Sequence, residues 1–262
     1  MRWQLSAAQW DVLTEALFPH HGGLEIYPAP IQVPVHGHTD AERGRLSAQV
    51  AVELSALGLL RGGRVEADLE AALGLLHRPA CWVDSVWLPD PEAEQPARVV
   101  AATGAAIGIC VAQYPERPGV TLLEVIPAHG LAAAVVRKLP AHPPGTRPGL
   151  TVPLGPPAPS APPGLLVTVP TARTSPERSG AAVAAILNQA HPRTGQIAAN
   201  LRDPFGRVHR SQVLHWCDNP DGRYQMTVTR SPGGPDRLAV APADPQRIGH
   251  AVQRLIDSLH PR

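Results

Sequence analysis

The chain has 262 residues, a formal net charge of +1 and 44% hydrophobic residues. Its length admits one large domain or two small ones, and its hydrophobic content supports a packed core over general disorder. Acids and bases are mixed along the chain with no concentrated basic cluster, which argues against nucleic acid as the partner.

Ser6 and Gln9 have capping-box spacing and open a first helix in which Trp10, Leu13 and Leu17 share a face. A Pro- and Gly-rich loop follows from Pro19 to Gly37. Thr39 and Glu42 make a second capping box, and Leu46, Val50, Leu54 and Leu57 line the next helix, with Gly58 at its expected end. A third helix is expected from about Val65 to Leu76, carrying Leu69, Leu73 and Leu76.

The pattern then turns to strands at Cys81–Leu88, Ala97–Ala102, Ala106–Gln113 and Gly119–Ile126, closed by a helix from Ala128 to Leu139. From Pro140 to Pro170 the proline density excludes a helix or a central strand and predicts an extended linker or surface loop, centred on Pro156–Pro163. A helix near Pro176–Ala190 opens the last part. Strands are expected at Gly195–Arg202, Arg207–Cys217, Arg223–Arg230 and Arg237–Ala241. Asp244 and Pro245 start a final helix striped with Ile248, Val252, Leu255 and Leu259. Asn219-Pro220-Asp221-Gly222 is a hairpin turn. On its outgoing strand Tyr224, Met226 and Val228 alternate with Arg223, Gln225, Thr227 and Thr229, so the first set is expected buried and the second wet.

Four strands and a helix thus occur twice. Val125-Ile126-Pro127-Ala128 and Val240-Ala241-Pro242-Ala243 mark the same junction at an offset of 115, the difference between 242 and 127. Internal duplication and coincidence in an Ala- and Pro-rich chain both explain this. Duplication predicts an α+β fold: a central antiparallel β-sheet with a pseudo-two-fold ββββα repeat, flanked by helical bundles. The halves would be 1–139 and 171–262, joined by 140–170 within a single domain.

Chemistry-bearing clusters are few. His20-His21 and His36-Gly37-His38 are the histidine clusters, and only Asp40 and Glu42 stand near enough to complete a zinc site. Glu42 is accounted for as a capping residue, so these histidines read as exposed loop residues and no metal is expected. Cys217 lies two residues after His215 and shares its strand face, a thiol–imidazole arrangement that admits a hydrolase reading. No Gly-rich helix start adjoins the thiol to lower its pKa, and Cys217 and Cys110 read as structural. No nucleophile elbow, phosphate loop, dinucleotide glycine set or paired-histidine zinc motif occurs, so neither catalysis nor a cofactor is expected. Glu92 and Glu94 lie in the Pro-stiffened segment Pro89–Pro96, either a solvated hairpin connection or a contact element. Three cysteines with no CxxC spacing fit a reducing compartment. The start has no long apolar run, and Ala101–Ala112 falls short of the roughly 20 apolar residues a bilayer span needs. A cytoplasmic protein without membrane insertion is expected.

The ordered residues of the second half resemble the EspG family of type VII (ESX) secretion-associated proteins of actinobacteria. Those residues are Gly195-Gln196-Ile197, Arg202-Asp203, Gly206-Arg207, Arg210-Ser211, Trp216, Asp218, Gly222-Arg223-Tyr224 and Val240–Asp244. Trp3-Gln4-Leu5, Gly37-His38-Thr39, Glu42-Arg43 and Gly58-Leu59 extend the likeness over the first half. The resemblance implies a cytosolic chaperone, monomeric or weakly homodimeric, that shields the apolar tip of helical PE–PPE-type cargo before export. It implies binding through a sheet face, a loop between early strands and helices of the second half, with the loop placed here at Asp90, Glu92, Glu94 and Gln95, and with Arg223 and Gln225 on the sheet. Trp216, Asp218, Gly222, Arg223 and Tyr224 carry the signature and are expected to set the hairpin. Two other readings stand beside it: the hydrolase using Cys217 and His215, and a winged-helix-like DNA-binding regulator built on the helices of 39–76.

Overall fold

A computed structural model gives the structure of the protein and describes residues 1–19, 27–154, 178–230 and 233–260. In chain order, β1 (Arg2–Ser6) runs into α1 (Ala7–Leu17), and α2 (Asp40–Ala56) follows. A small hairpin of β2 (Leu60–Arg61) and β3 (Arg64–Val65) leads to α3 (Ala67–His77). Next come β4 (Cys81–Leu88), β5 (Ala97–Thr103), β6 (Ile107–Gln113), β7 (Val120–Pro127) and α4 (Leu131–Val136). The remainder is β8 (Leu150–Pro153), α5 (Arg178–Leu187), β9 (Arg193–Arg202), β10 (Val208–Arg210), β11 (Leu214–Asn219), β12 (Gly222–Thr229), β13 (Arg237–Pro242) and α6 (Pro245–Asp257). The class is α+β, with a large antiparallel sheet.

The chain divides into two compact units that interleave in sequence. The first holds Met1–Asp84, Ala97–Lys138 and Leu201–Val208. Its strands run in the order β1-β7-β6-β5, with Trp3 opposite Leu123 and Val111 opposite Leu123 on the other side. Val100, Ile109, Val111 and Leu123 face a core completed by Trp10 and Leu13 of α1, Val50 and Leu54 of α2, and Leu69, Leu73 and Leu76 of α3. The helices begin where side chains satisfy otherwise unpaired N–H groups. Both capping boxes form: Ser6 Oγ accepts the Gln9 N–H at 3.2 Å, and Thr39 Oγ1 accepts that of Glu42 at 3.2 Å.

The second unit holds Ser85–Pro96, Leu139–Asn200 and His209–Arg262. Its strands run β9-β11-β12-β13-β8, and its core joins Val183 and Ile186 of α5 to Val152, Tyr224, Met226, Leu238 and Val240. Asp244 caps α6 through the Arg247 N–H at 2.7 Å, with Pro245 in the first turn.

Several expectations shift. Residues 2–6 form a strand, because Trp3 and Leu5 alternate with polar neighbours and find β7 as a partner. Leu57 is 59% exposed, since α2 ends one residue before it. The β2–β3 hairpin at Gly62-Gly63 was not anticipated, and its two glycines both take positive φ. The helix after β7 starts only at Leu131, because Gly130 closes a tight turn onto the Pro127 carbonyl at 2.8 Å. The expected strand Arg207–Cys217 is broken: Ser211 bonds Ala199 through both its N–H and its hydroxyl, ending the ladder between β10 and β11. Part of the Pro-rich segment is a strand after all. β8 pairs with β13 at the sheet margin, where prolines are tolerated. Pro156–Pro163 and the start of the helix expected from Pro176 lie outside the described residues.

Candidate functional site

The signature residues meet in the second unit on the hairpin of β11 and β12. Its two-residue turn, Pro220-Asp221, places Asp218 directly opposite Arg223 and Asn219 opposite Gly222. Asn219 Oδ1 accepts the Asp221 N–H at 2.9 Å, while its amide donates to the Ile186 carbonyl at 3.2 Å. Gly222 has φ +120°, and a Cβ there would collide with the Pro144 carbonyl, so both the conformation and the space demand glycine.

Behind that requirement is a strap formed by residues 140–149. Pro144 bridges Arg223 in parallel fashion. The Arg223 N–H donates to the Pro143 carbonyl at 2.7 Å, and the Arg223 carbonyl accepts the Gly145 N–H at 2.8 Å. Tyr224 is fully buried, and its hydroxyl accepts the Arg147 N–H at 3.0 Å. Asp221 accepts from Gln189 (2.8 Å) and from Arg147 Nε (2.7 Å), and these two bonds hold its carboxyl below the usual range. Of the two expectations for this segment, linker or surface loop, residues 140–149 follow the second: they are a loop fixed to the hairpin.

Arg223 was expected on the wet face. It is 3% exposed, because the carboxylate of Asp218 takes its Nε at 2.6 Å and an Nη at 2.9 Å, and the Pro140 carbonyl takes the same Nη at 2.8 Å. Its guanidinium also lies 4.4 Å from the Trp216 ring centroid. Arg193 adds a second guanidinium to Asp218 at 2.9 Å. Buried in this way, Arg223 holds the hairpin, and Gln225 stands half-buried next along the strand. Trp216 packs its ring on Gly195, where a Cβ would come within 2.6 Å, and sits 6.5 Å from Trp87 of β4.

Beyond Trp87 and Leu88 the chain enters the acidic loop. Asp90, Glu92, Glu94 and Gln95 are all exposed. Asp90 Oδ1 accepts the Glu92 N–H at 3.0 Å, and the Asp90 carbonyl accepts the Ala93 N–H at 3.2 Å, so a local turn braces the tip between Pro89, Pro91 and Pro96. The loop presents three exposed carboxylates on a frame braced by this turn and its prolines.

Burial disfavours the thiol–imidazole reading. Cys217 is fully buried among Tyr224 and Met226, and burial followed by the charge of Asp218 pushes its thiol up to about 12. His215 is half-buried with its basicity lowered by desolvation, and its Nδ1 has no hydrogen-bond partner among the described residues. Cys110 is buried as well, its thiol raised by desolvation to about 12. His36 lies against Asp11 with Nδ1 at 3.2 Å from Oδ2, and Arg43 engages the same carboxylate. Glu42 accepts the backbone N–H groups of His38 and Thr39, as its capping role requires. His20 and His21 lie outside the described residues, and Asp40 is exposed in the first turn of α2. Among the described residues no group of three or more His, Cys, Asp or Glu could hold a metal ion, and no helix is long and apolar enough to cross a membrane.

Sequence comparison decides the relationship. A family model described as the EspG family matches residues 6–254. The chain belongs to the EspG family. Among curated proteins no sequence matches it. Among solved structures it is similar to the Mycobacterium tuberculosis type VII secretion system chaperone EspG5, seen in complex with a PE25–PPE41 dimer. The TM-score is 0.65 at 16% identity, covering 98% of this chain and 96% of that one. At that identity the likeness speaks for the fold. This EspG chain therefore has its signature residues in a strapped, ion-paired hairpin, with the exposed acidic loop leaving the same unit.

Proposed function

We propose that this EspG protein is a cytoplasmic chaperone of a type VII secretion system, which binds a helical PE–PPE-type pair and keeps its apolar tip soluble before export. The family match over residues 6–254 carries this reading, and the complex formed by EspG5 indicates the kind of cargo. The chemistry fits a binding protein. Three carboxylates stand exposed on a proline-braced loop, while the thiols are buried and raised well above neutrality. Asp90, Glu92, Glu94 and Gln95 are assigned to direct cargo contact, Gln225 to the sheet side of that contact, and Arg223 to holding the hairpin. Neither catalysis nor nucleic-acid binding is part of this reading.

The pseudo-two-fold repeat with flanking helical bundles belongs to the same proposal, as does the division of one domain into half-repeats. Its support is positional. Displaced by 115, the interval from 242 to 127, β4 falls at 196–203 over β9, β5 at 212–218 over β11, β6 at 222–228 over β12, and β7 at 235–242 over β13.

Co-expression with a PE–PPE-type pair encoded beside the gene tests the function. The expected outcome is a soluble complex that copurifies, weakened at least about tenfold when Asp90, Glu92 and Glu94 are all changed to Lys. Cargo that stays insoluble and never copurifies would sink the reading.

A further inference from the structure

The hairpin of β9 and β10 differs from the rest of the large sheet. β10 pairs with β9 alone, and its residues Val208, His209 and Arg210 are all exposed. Side chains alternate across a strand, so exposure at consecutive positions leaves both of its faces open. Residues 204–207, which join the two strands, are exposed as well. The hairpin therefore projects as an arm.

At its tip Phe205 is 91% exposed, more than any other large apolar side chain among the described residues. One exposed apolar residue is ordinary; the frame that holds this one out is not. Asp203 Oδ1 accepts the N–H groups of Phe205 and Arg207, each at 2.9 Å. The Asp203 N–H donates to the Arg207 carbonyl and the Asp203 carbonyl accepts the Gly206 N–H, again at 2.9 Å. Gly206 takes φ +84°, and Arg202 donates to its carbonyl at 3.2 Å with its guanidinium 5.7 Å from the Trp82 ring. These bonds also engage the one acid between residues 201 and 210, while Arg207 and Arg210 stand exposed. The arm thus ends in apolar surface from Pro204, Phe205 and, at 48% exposure, Val208, with arginines behind it.

That shape and charge select the partner. A standard protein interface takes about 800 Å² and roughly 20–30 residues from each side, more than a narrow arm offers. A lipid surface sets no such minimum, because it is fluid and closes around what enters it. An aromatic ring suits the boundary between headgroups and acyl chains, and arginines are drawn to an anionic leaflet. One ring with a few charges gives weak, reversible attachment.

We propose that the β9–β10 arm docks on an anionic lipid surface, with Phe205 entering the headgroup boundary and Arg207 and Arg210 lying among the phosphates. The contact spans no bilayer. It stands apart from the cargo reading above; where both hold, it brings a loaded chaperone to the membrane that its cargo must cross.

The test is cosedimentation of the full-length, cargo-free chain with vesicles of phosphatidylglycerol and phosphatidylcholine mixed in varied ratio. Binding is expected to rise with the phosphatidylglycerol fraction and to fall as salt rises. Phe205→Ser should lower the partition coefficient at least about tenfold, and Arg207→Glu by about as much. Both should keep the parent's thermal midpoint, which separates lost docking from lost folding. Phe205→Trp supplies a readout that a purely electrostatic contact leaves unmoved: the emission of the added indole should be quenched by lipids brominated near the headgroup end of their acyl chains. A chain that stays in the supernatant at every lipid composition, or vesicle binding indifferent to Phe205→Ser, overturns the proposal. So does a Phe205-dependent complex with an acidic protein by a chain that ignores vesicles. Because no cargo is present, failure here leaves the chaperone reading standing, and failure of cargo to copurify leaves the lipid docking standing.

Discussion

Two carboxylates, one in each unit, show how differently the same ionic composition behaves. Asp218 is wholly buried between Arg223, whose side chain is 4% exposed, and Arg193 at 24%. Glu124 of β7 also gathers bases, with Lys138 at 2.9 Å, Arg2 at 3.0 Å and Arg137 at 3.9 Å, yet Arg2 and Arg137 are 78% and 55% exposed. Partner number favours Glu124. Burial favours Asp218, and burial decides the energy: water and salt screen the outer pairs, while nothing replaces a missing charge inside.

The sharpest way to break the comparison is Asp218→Asn. It leaves two guanidiniums facing a neutral amide, with the Arg223 charge sealed from solvent. The expected loss is about 3–5 kcal/mol, read as a fall in the urea midpoint or as insoluble expression. A smaller effect follows from removing both charges at once. Asp218→Leu with Arg223→Met eliminates the desolvated ions, and Arg193 can turn toward solvent. This double variant should lie within about 1–2 kcal/mol of the parent, well above Asp218→Asn. If the double variant is as unstable as the single one, the cost lies in packing against Trp216 and in the lost bond to Pro140, and the electrostatic account of the cluster fails.

The contrast also marks what was legible in the sequence. Both capping boxes and the Asp244 cap were readable, because each is set by residues a few positions apart. The family likeness was readable from the order of short residue sets along the chain, and the acidic loop from its local composition. Arg223 was misplaced by strict alternation, which assigned it to water. The missed signal was local: a two-residue turn puts positions five apart opposite each other, so Asp218 and Arg223 form a cross-strand pair of opposite charge. Arg193, His142 and the 140–149 strap carried no such signal. They reach the hairpin from 25 to roughly 80 positions away, through contacts such as Arg193 with His142 at 3.2 Å, which only the folded chain creates.

Glu124→Gln is the gentlest test and the one that ties the comparison to pH. The hydrogen bond from Lys138 holds the Glu124 carboxyl below the usual carboxylate range against the opposing effect of desolvation, and Arg2 adds to it. In the unfolded chain the same group titrates at about 4.3. Its folded value is the lower one, so its contribution is complete above the unfolded value and is lost as pH falls through the folded value. Glutamine should therefore cost about 1 kcal/mol or less at neutral pH and low salt, less at high salt, and nothing once the parent carboxyl is protonated. Urea midpoints of parent and variant should converge on acidification. Curves that stay parallel down to strongly acidic pH would mean that Glu124 acts through packing, and the surface cluster would no longer stand as the screened counterpart of Asp218.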